Sequence, residues 1–460
     1  VHRSRTTRVA LATASLAGLL GVSGCVSVVV GRPSAQVPQR AAPGEVTVIG
    51  AVEGSVDEQA RNALADLETF WADRFPDVFG QEFQPLQGGY FSVDPGDIDP
   101  RIYPQGVGCG ADPREAENNA FYCQAPQAPN SDAITYDRAF LGELAADHGR
   151  FLPAMVMAHE FGHAVQARVG LPDRSITIET QADCLAGAWT AWVAAGEAEH
   201  SRLRDAELDD LLRGYFLLRD PVGTSSAAES AHGSYFDRVS GFQDGFDGGP
   251  EACRDEFGPE RVFTQGEFTR DDDLATGGNA SYPKLLELVD DSLPTVWEQA
   301  FSDVFGERFR APQIEPFDRR APDCAPDPDR ELVVCPDEGI VAFDEADLGG
   351  PAYELGDFAV ATAIAIPYSL SVRDQLGLST DDEEAVRSAL CLTGWYAARV
   401  YNGQAGIEIS PGDLDESVRF LLTYGNDPDV IPDVDLSGFQ QVDLFRAGFL
   451  RGLAACDVGA

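Results

Sequence analysis

Apolar residues run almost without interruption from Phe151 to Val169 and stop at Gly170, with Pro172 beyond. The length of the run and its terminal Gly and Pro predict a buried helix. A second apolar-rich segment, Ile176 to Ala195, stops at Gly196 and predicts another. Polar residues interrupt both segments at helical spacing. His159 and His163 are four apart, as are Glu179 and Asp183, so each pair shares one helix face. A carboxylate inside such a run is costly unless it is paired or bound to a cation. Tyr136 sits in an apparent strand before the first of these helices. The expected class is α+β, mostly helical.

The pattern recurs along the chain. Trp71 with Phe75 to Gly80 and Phe83 returns as Trp297 with Phe301 to Gly306 and Phe309. Gly149 to Leu171 matches Gly356 to Leu378, Asp183 to Gly187 matches Leu390 to Gly394, and Gly245-Phe246 with Cys253 matches Gly448-Phe449 with Cys456. The offset falls from 226 at the tryptophans to 207 at Cys184 and Cys391 and 203 at the last cysteines, as it would if a second copy had lost loop residues. The expectation is two homologous domains, 44–258 and 280–460, joined by a polar linker over 259–279. In the second copy Ile366, Pro367 and Leu370 stand where the first has His159, Glu160 and His163, and Val386 and Leu390 stand for Glu179 and Asp183. The second copy is therefore expected to be metal-less. Trp71 and Trp297 occur in both copies and read as core packing.

The N-terminus changes the expected location. His2, Arg3, Arg5 and Arg8 precede an apolar stretch, Val9 to Val22, and then Val22-Ser23-Gly24-Cys25. A charged start, a short apolar core and small residues before a cysteine read as a lipoprotein signal over 1–25. Cys25 is then the lipid anchor, 26–43 a tether, and the outer face of the cytoplasmic membrane the location. Beyond Cys25 there are eight cysteines and no C-x-x-C pair, which suits disulfides in an exported protein rather than a cysteine zinc site. The repeat proposes Cys109–Cys123, Cys184–Cys253, Cys324–Cys335 and Cys391–Cys456. A formal charge of −43 repels phosphate backbones, so nucleic acid is not an expected partner.

His159-Glu160-Phe161-Gly162-His163 is an H-E-x-x-H sequence. On a helix it offers two imidazoles to one metal ion with a carboxylate beside them. A catalytic zinc takes three protein ligands and keeps a position open. Glu179 is the natural third ligand, with Asp183 the alternative; if Glu179 binds, Asp183 orients a ligand imidazole. Glu160 is the expected general base. A second donor to the developing oxyanion is also expected, and His232, ahead of Tyr235, is the candidate. His148 and His200 read as surface residues. Asp427 to Asp435 lacks the glycine and glutamate of an EF-hand and reads, like Asp271 to Asp273, as a turn-rich loop.

The H-E-F-G-H motif followed by Glu179-Thr180-Gln181-Ala182-Asp183-Cys184-Leu185-Ala186-Gly187-Ala188-Trp189 resembles the bacterial neutral zinc metallopeptidase family. The stretches Phe121-Tyr122-Cys123, Ile134 to Asp137 and Ala231 to Ser234 also look like family elements. The resemblance spans roughly 100–250. It implies a zincin-like core, one zinc on His159, His163 and Glu179, Glu160 as base, and a peptide or protein substrate. The alternative function is a non-enzymatic envelope lipoprotein acting as a binding or scaffolding module.

Overall fold

The computed structural model describes residues 44–432 and 434–459; the expected signal, Cys25 and the expected tether lie outside them. The first segment holds β1 (Val48–Ile49), α1 (Asp57–Phe79), β2 (Gly89–Val93), β3 (Ala120–Cys123), β4 (Ala133–Asp137), α2 (Arg138–His148), α3 (Leu152–Val169), α4 (Ser175–Ala194), α5 (Asp205–Leu218) and α6 (Tyr235–Asp255). A short α7 (Asp271–Thr276) follows. The second segment holds α8 (Tyr282–Ala300), β5 (Gln313–Phe317), β6 (Leu332–Cys335), β7 (Ile340–Asp344), α9 (Gly350–Tyr353), α10 (Asp357–Gln375), α11 (Glu383–Tyr401), α12 (Asp413–Tyr424) and α13 (Gly438–Arg451). The molecule is mixed α+β. Among the described residues no helix is long and apolar enough to cross a membrane.

Each segment sets a small sheet against helices. In the first the strand order is β1-β2-β4-β3, with β2 parallel to β1 and β4, and β3 an antiparallel edge. In the second the order is β5-β7-β6, with β5 parallel and β6 antiparallel to β7. All four pairings proposed from the repeat are present as disulfides. One apolar core reaches from Val48 to Val458 through both segments.

Glycines set the closest helix crossings. A Cβ on Gly187 of α4 would overlap the carbonyl oxygen of Phe242, and one on Gly245 of α6 would overlap that of Cys184. Gly394 and Gly448 meet Phe445 and Cys391 in the same way where α11 crosses α13. Backbone contact of this kind requires glycine. At Gly162 a Cβ would sit 3.0 Å from the Cα and carbonyl oxygen of Ala182, so α3 lies tightly on α4.

Contacts between the segments are reciprocal. Asp209 of α5 accepts from the backbone N–H groups of Gly438 and Phe439 at the start of α13, at 3.0 and 2.7 Å. Asp415 of α12 accepts from Phe236 N–H at the start of α6, at 2.9 Å. Phe236 packs on Phe445 and Phe449, while Phe439 packs on Phe242 and Phe246.

One local expectation is corrected. Asp271 to Asp273 form the first turn of α7 rather than a loop. Acidic side chains there face the partial positive charge of the helix N-terminus.

Candidate metal centre

The centre is built where α3 lies on α4. Pro153 falls in the first turn of α3, and Gly170, at φ 108°, ends it. Over this helix His159 and His163 project one turn apart toward Glu179 on α4. The three Nε2 and Oε2 atoms converge: His159 to His163 is 3.2 Å, His159 to Glu179 3.3 Å, and His163 to Glu179 3.7 Å. Ligands of a tetrahedral zinc at 2.0–2.2 Å stand about 3.3–3.6 Å apart, so the spacing fits that ion.

Hydrogen bonds on the far side of each ring decide which nitrogen faces inward. His159 Nδ1 lies 2.8 Å from Asp183 Oδ1. Asp183 is itself held by Arg238, with Nε 2.8 Å from Oδ2 and Nη2 2.8 Å from Oδ1. His163 Nδ1 lies 2.9 Å from Gln166 Oε1. The Gln166 amide is fixed because its Nε2 donates to Ile178 O and Gln181 Oε1. Both imidazoles therefore donate from Nδ1 and turn their Nε2 atoms toward one point, together with a carboxylate oxygen. Three such donors repel one another unless a cation or proton sits between them. The residues present thus fit a zinc ion.

Charge agrees with this geometry. Burial disfavours ionisation of His159, but Asp183 and Glu179 outweigh it and raise its pKa to about 10. Burial likewise opposes charge on Glu179, yet hydrogen bonds to His159 and His163 hold its carboxyl well below the usual range. Asp183 is lowered against burial by Arg238 and His159. Glu160, 7% exposed, is raised, chiefly by burial. Its Oε2 accepts from Tyr122 N–H of edge strand β3 at 2.7 Å. A cleft of about 580 Å³ opens beside His163 and Glu179, lined also by Tyr122, Gln124 and Leu171.

His159, His163, Glu179, Glu160 and Asp183 are thus brought together. His232 is on the surface, its Nδ1 3.1 Å from Asp220 Oδ1; among the described residues no hydrogen bond or ion pair joins it to the other five. Tyr136 is buried and donates to Asp57 Oδ1 at 2.7 Å. Gln166, Arg238 and the Tyr122 N–H were not read from the sequence. Gln166 carried a usable signal, as a polar residue within the apolar run one turn after His163. Arg238 carried none, being 55 residues from Asp183.

A family model described as "Putative neutral zinc metallopeptidase" matches residues 3–257. Uncharacterized protein Rv2575 of Mycobacterium tuberculosis is 26% identical over 177 residues, 33% of this chain and 60% of that protein. Uncharacterized protein YpfJ of Escherichia coli K12 is 29% identical over 174 residues, 33% of this chain and 58% of that protein. The chain therefore spans about 60% of the length of these curated relatives. No solved structure matches. With the family model covering more than half of its length, the chain belongs to the neutral zinc metallopeptidase family.

Proposed function

We propose that the chain is a zinc-dependent peptide hydrolase with one zinc, held by His159, His163 and Glu179. The observation that carries this reading is the convergence of three inward-facing donor atoms at 3.2–3.7 Å beside an open cleft. A structural zinc site is closed by a fourth protein ligand, whereas a catalytic one keeps a position free. When bound, zinc supplies Lewis acidity, lowering the pKa of water toward about 7 and polarising a carbonyl. Glu160 takes the proton of the attacking water and returns it to the leaving amine. Burial raises its pKa, the direction that favours a carboxyl able both to take and to return a proton. The Tyr122 N–H holds one oxygen of Glu160 and leaves the other for the proton. An extended peptide can lie along the outer edge of β3, where it would add a strand to the sheet. We assign His232 to the substrate carbonyl as an imidazolium: Asp220 holds its Nδ1–H, and Nε2 donates only when it too carries a proton.

The second segment is read as a homologous copy, 280–460 beside 44–258, that has lost the zinc site. The order β2-β4-β3, repeated as β5-β7-β6 without a counterpart of β1, the corresponding disulfides and the glycine crossings support this. Ile366, Pro367, Leu370, Val386 and Leu390 there offer no metal donor. We further propose export and lipid anchoring at Cys25, on the outer face of the cytoplasmic membrane. The four disulfides support an oxidising location.

The experiment is peptide-library hydrolysis with zinc measured in each sample. Glu160→Gln should keep its zinc and lose about 10²–10⁴-fold in kcat. His232→Ala should keep zinc and lose at least about tenfold in kcat. Wild type that binds zinc but cleaves nothing would favour the binding-module reading.

A further inference from the structure

We propose that Asp357, Asp413 and Glu416 form a second metal site, for a hard divalent cation of the calcium class, in the second segment. One carboxylate oxygen from each lies within 4.8 Å of the others. The three residues are 8%, 6% and 8% exposed. Calcium takes carboxylate oxygens at 2.3–2.6 Å, so one ion can touch all three. Asp357 and Asp413 border a cleft of about 910 Å³ lined from both segments, where Asp272, Asp273 and Asn279 also lie.

The existing partners do not neutralise this group. Asp357 Oδ2 accepts from Ala280 N–H at 2.7 Å, Asp413 Oδ2 from Ser410 N–H at 2.8 Å, and Glu416 Oε2 from Phe358 N–H at 2.8 Å. Asp357 Oδ1 is buried and has no hydrogen-bond partner. A buried carboxylate oxygen without a donor is costly. Among the described residues no Lys, Arg or His forms an ion pair with any of the three. Arg419 is near enough to act on Glu416, but its guanidinium donates to Leu355 O. Burial and mutual repulsion push the Asp413 and Glu416 carboxyls up, and burial raises Asp357.

The equivalent place in the first segment shows what is missing. There Arg204 N–H donates to Glu207 Oε2 at 2.8 Å, as Ser410 N–H does to Asp413. Glu207 is also paired with Arg150 at 2.6 Å and with the Arg204 side chain at 3.0 Å. At the offsets of 207 and 206 that align these helices, Arg150 becomes Asp357 and Arg204 becomes Ser410. Both guanidinium groups are gone and a third carboxylate has arrived. The first segment neutralises its buried acid with arginine; the second leaves that charge to an ion. Absence of a side chain at Gly356, whose Cβ would overlap the Glu416 carboxyl, lets Glu416 enter the group.

The test titrates calcium chloride into the zinc-loaded chain, dialysed free of calcium, by calorimetry and thermal unfolding, with potassium chloride at matched ionic strength. One saturable site per chain is expected, together with a Tm several degrees higher in calcium. Asp413→Asn should lose both. Asp357→Arg should restore an ion pair of the first-segment kind and unfold at one temperature with or without calcium. No saturable binding up to about 10 mM, beyond the range of weak calcium modules, would overturn the proposal. So would a wild-type calcium response in either variant.

Discussion

Gln166 and Asp183 each turn one imidazole so that Nε2 faces the metal position. Partners of this kind set ligand orientation and basicity, and losing one typically costs about 10–100-fold in metal affinity. Gln166→Leu and Asp183→Asn are therefore expected to weaken zinc binding by about that factor, measured by competition with a chromogenic chelator. His159 adds a pH dependence. In the metal-free protein its pKa is raised to about 10, so at pH 7 it carries a proton where zinc would bind. Zinc must displace that proton; affinity should therefore rise with pH up to about 10, and about one proton should be released per zinc at neutral pH. Calorimetry in buffers of different ionisation enthalpy reads that number, and a value of zero would contradict the assigned protonation. His159 and His163 were legible because helical spacing places them on one face, and Glu179 because a carboxylate inside an apolar run needs a partner. Arg238 was not legible, because the bond it makes to Asp183 depends on where α6 crosses α4, and local sequence does not encode that crossing.

Helices α3 and α4 fell close to the apolar runs that predicted them, since Gly170 and Gly196 punctuate those runs. The sheet was far less visible. Strands of four or five residues such as β3 and β4 are too short for a clear alternation, and β3 matters here mainly through one backbone N–H. Crossing geometry rests on glycines whose role emerges only when two helices are set together. Gly187→Ala would force a methyl into the Phe242 carbonyl. Overpacking of this kind costs about 1–3 kcal/mol or more, so a lower Tm and a lower denaturant midpoint are expected. An unchanged midpoint would mean that α4 and α6 are not held this closely.

The two segments share one apolar core and cap each other's helices, Asp209 on α13 and Asp415 on α6. Reciprocal contacts are the signature of a two-fold interface between like units. The proposed duplication would place two such units in one chain. Unfolding should therefore appear as a single calorimetric transition, lowered when zinc is removed, because a ligand that binds only the folded state stabilises it by mass action. Two separated transitions would contradict the shared core. The acidic composition excluded little about this architecture, and the reciprocity of the interface could not be seen before the segments were placed together. The central claim, a hydrolytic zinc centre on α3 and α4, is tested most directly by measuring zinc content and peptide hydrolysis in wild type and Glu160→Gln side by side. The account predicts about one zinc per chain in both proteins and hydrolysis in wild type alone. Wild type without zinc, or Glu160→Gln cleaving at the wild-type rate, would contradict it.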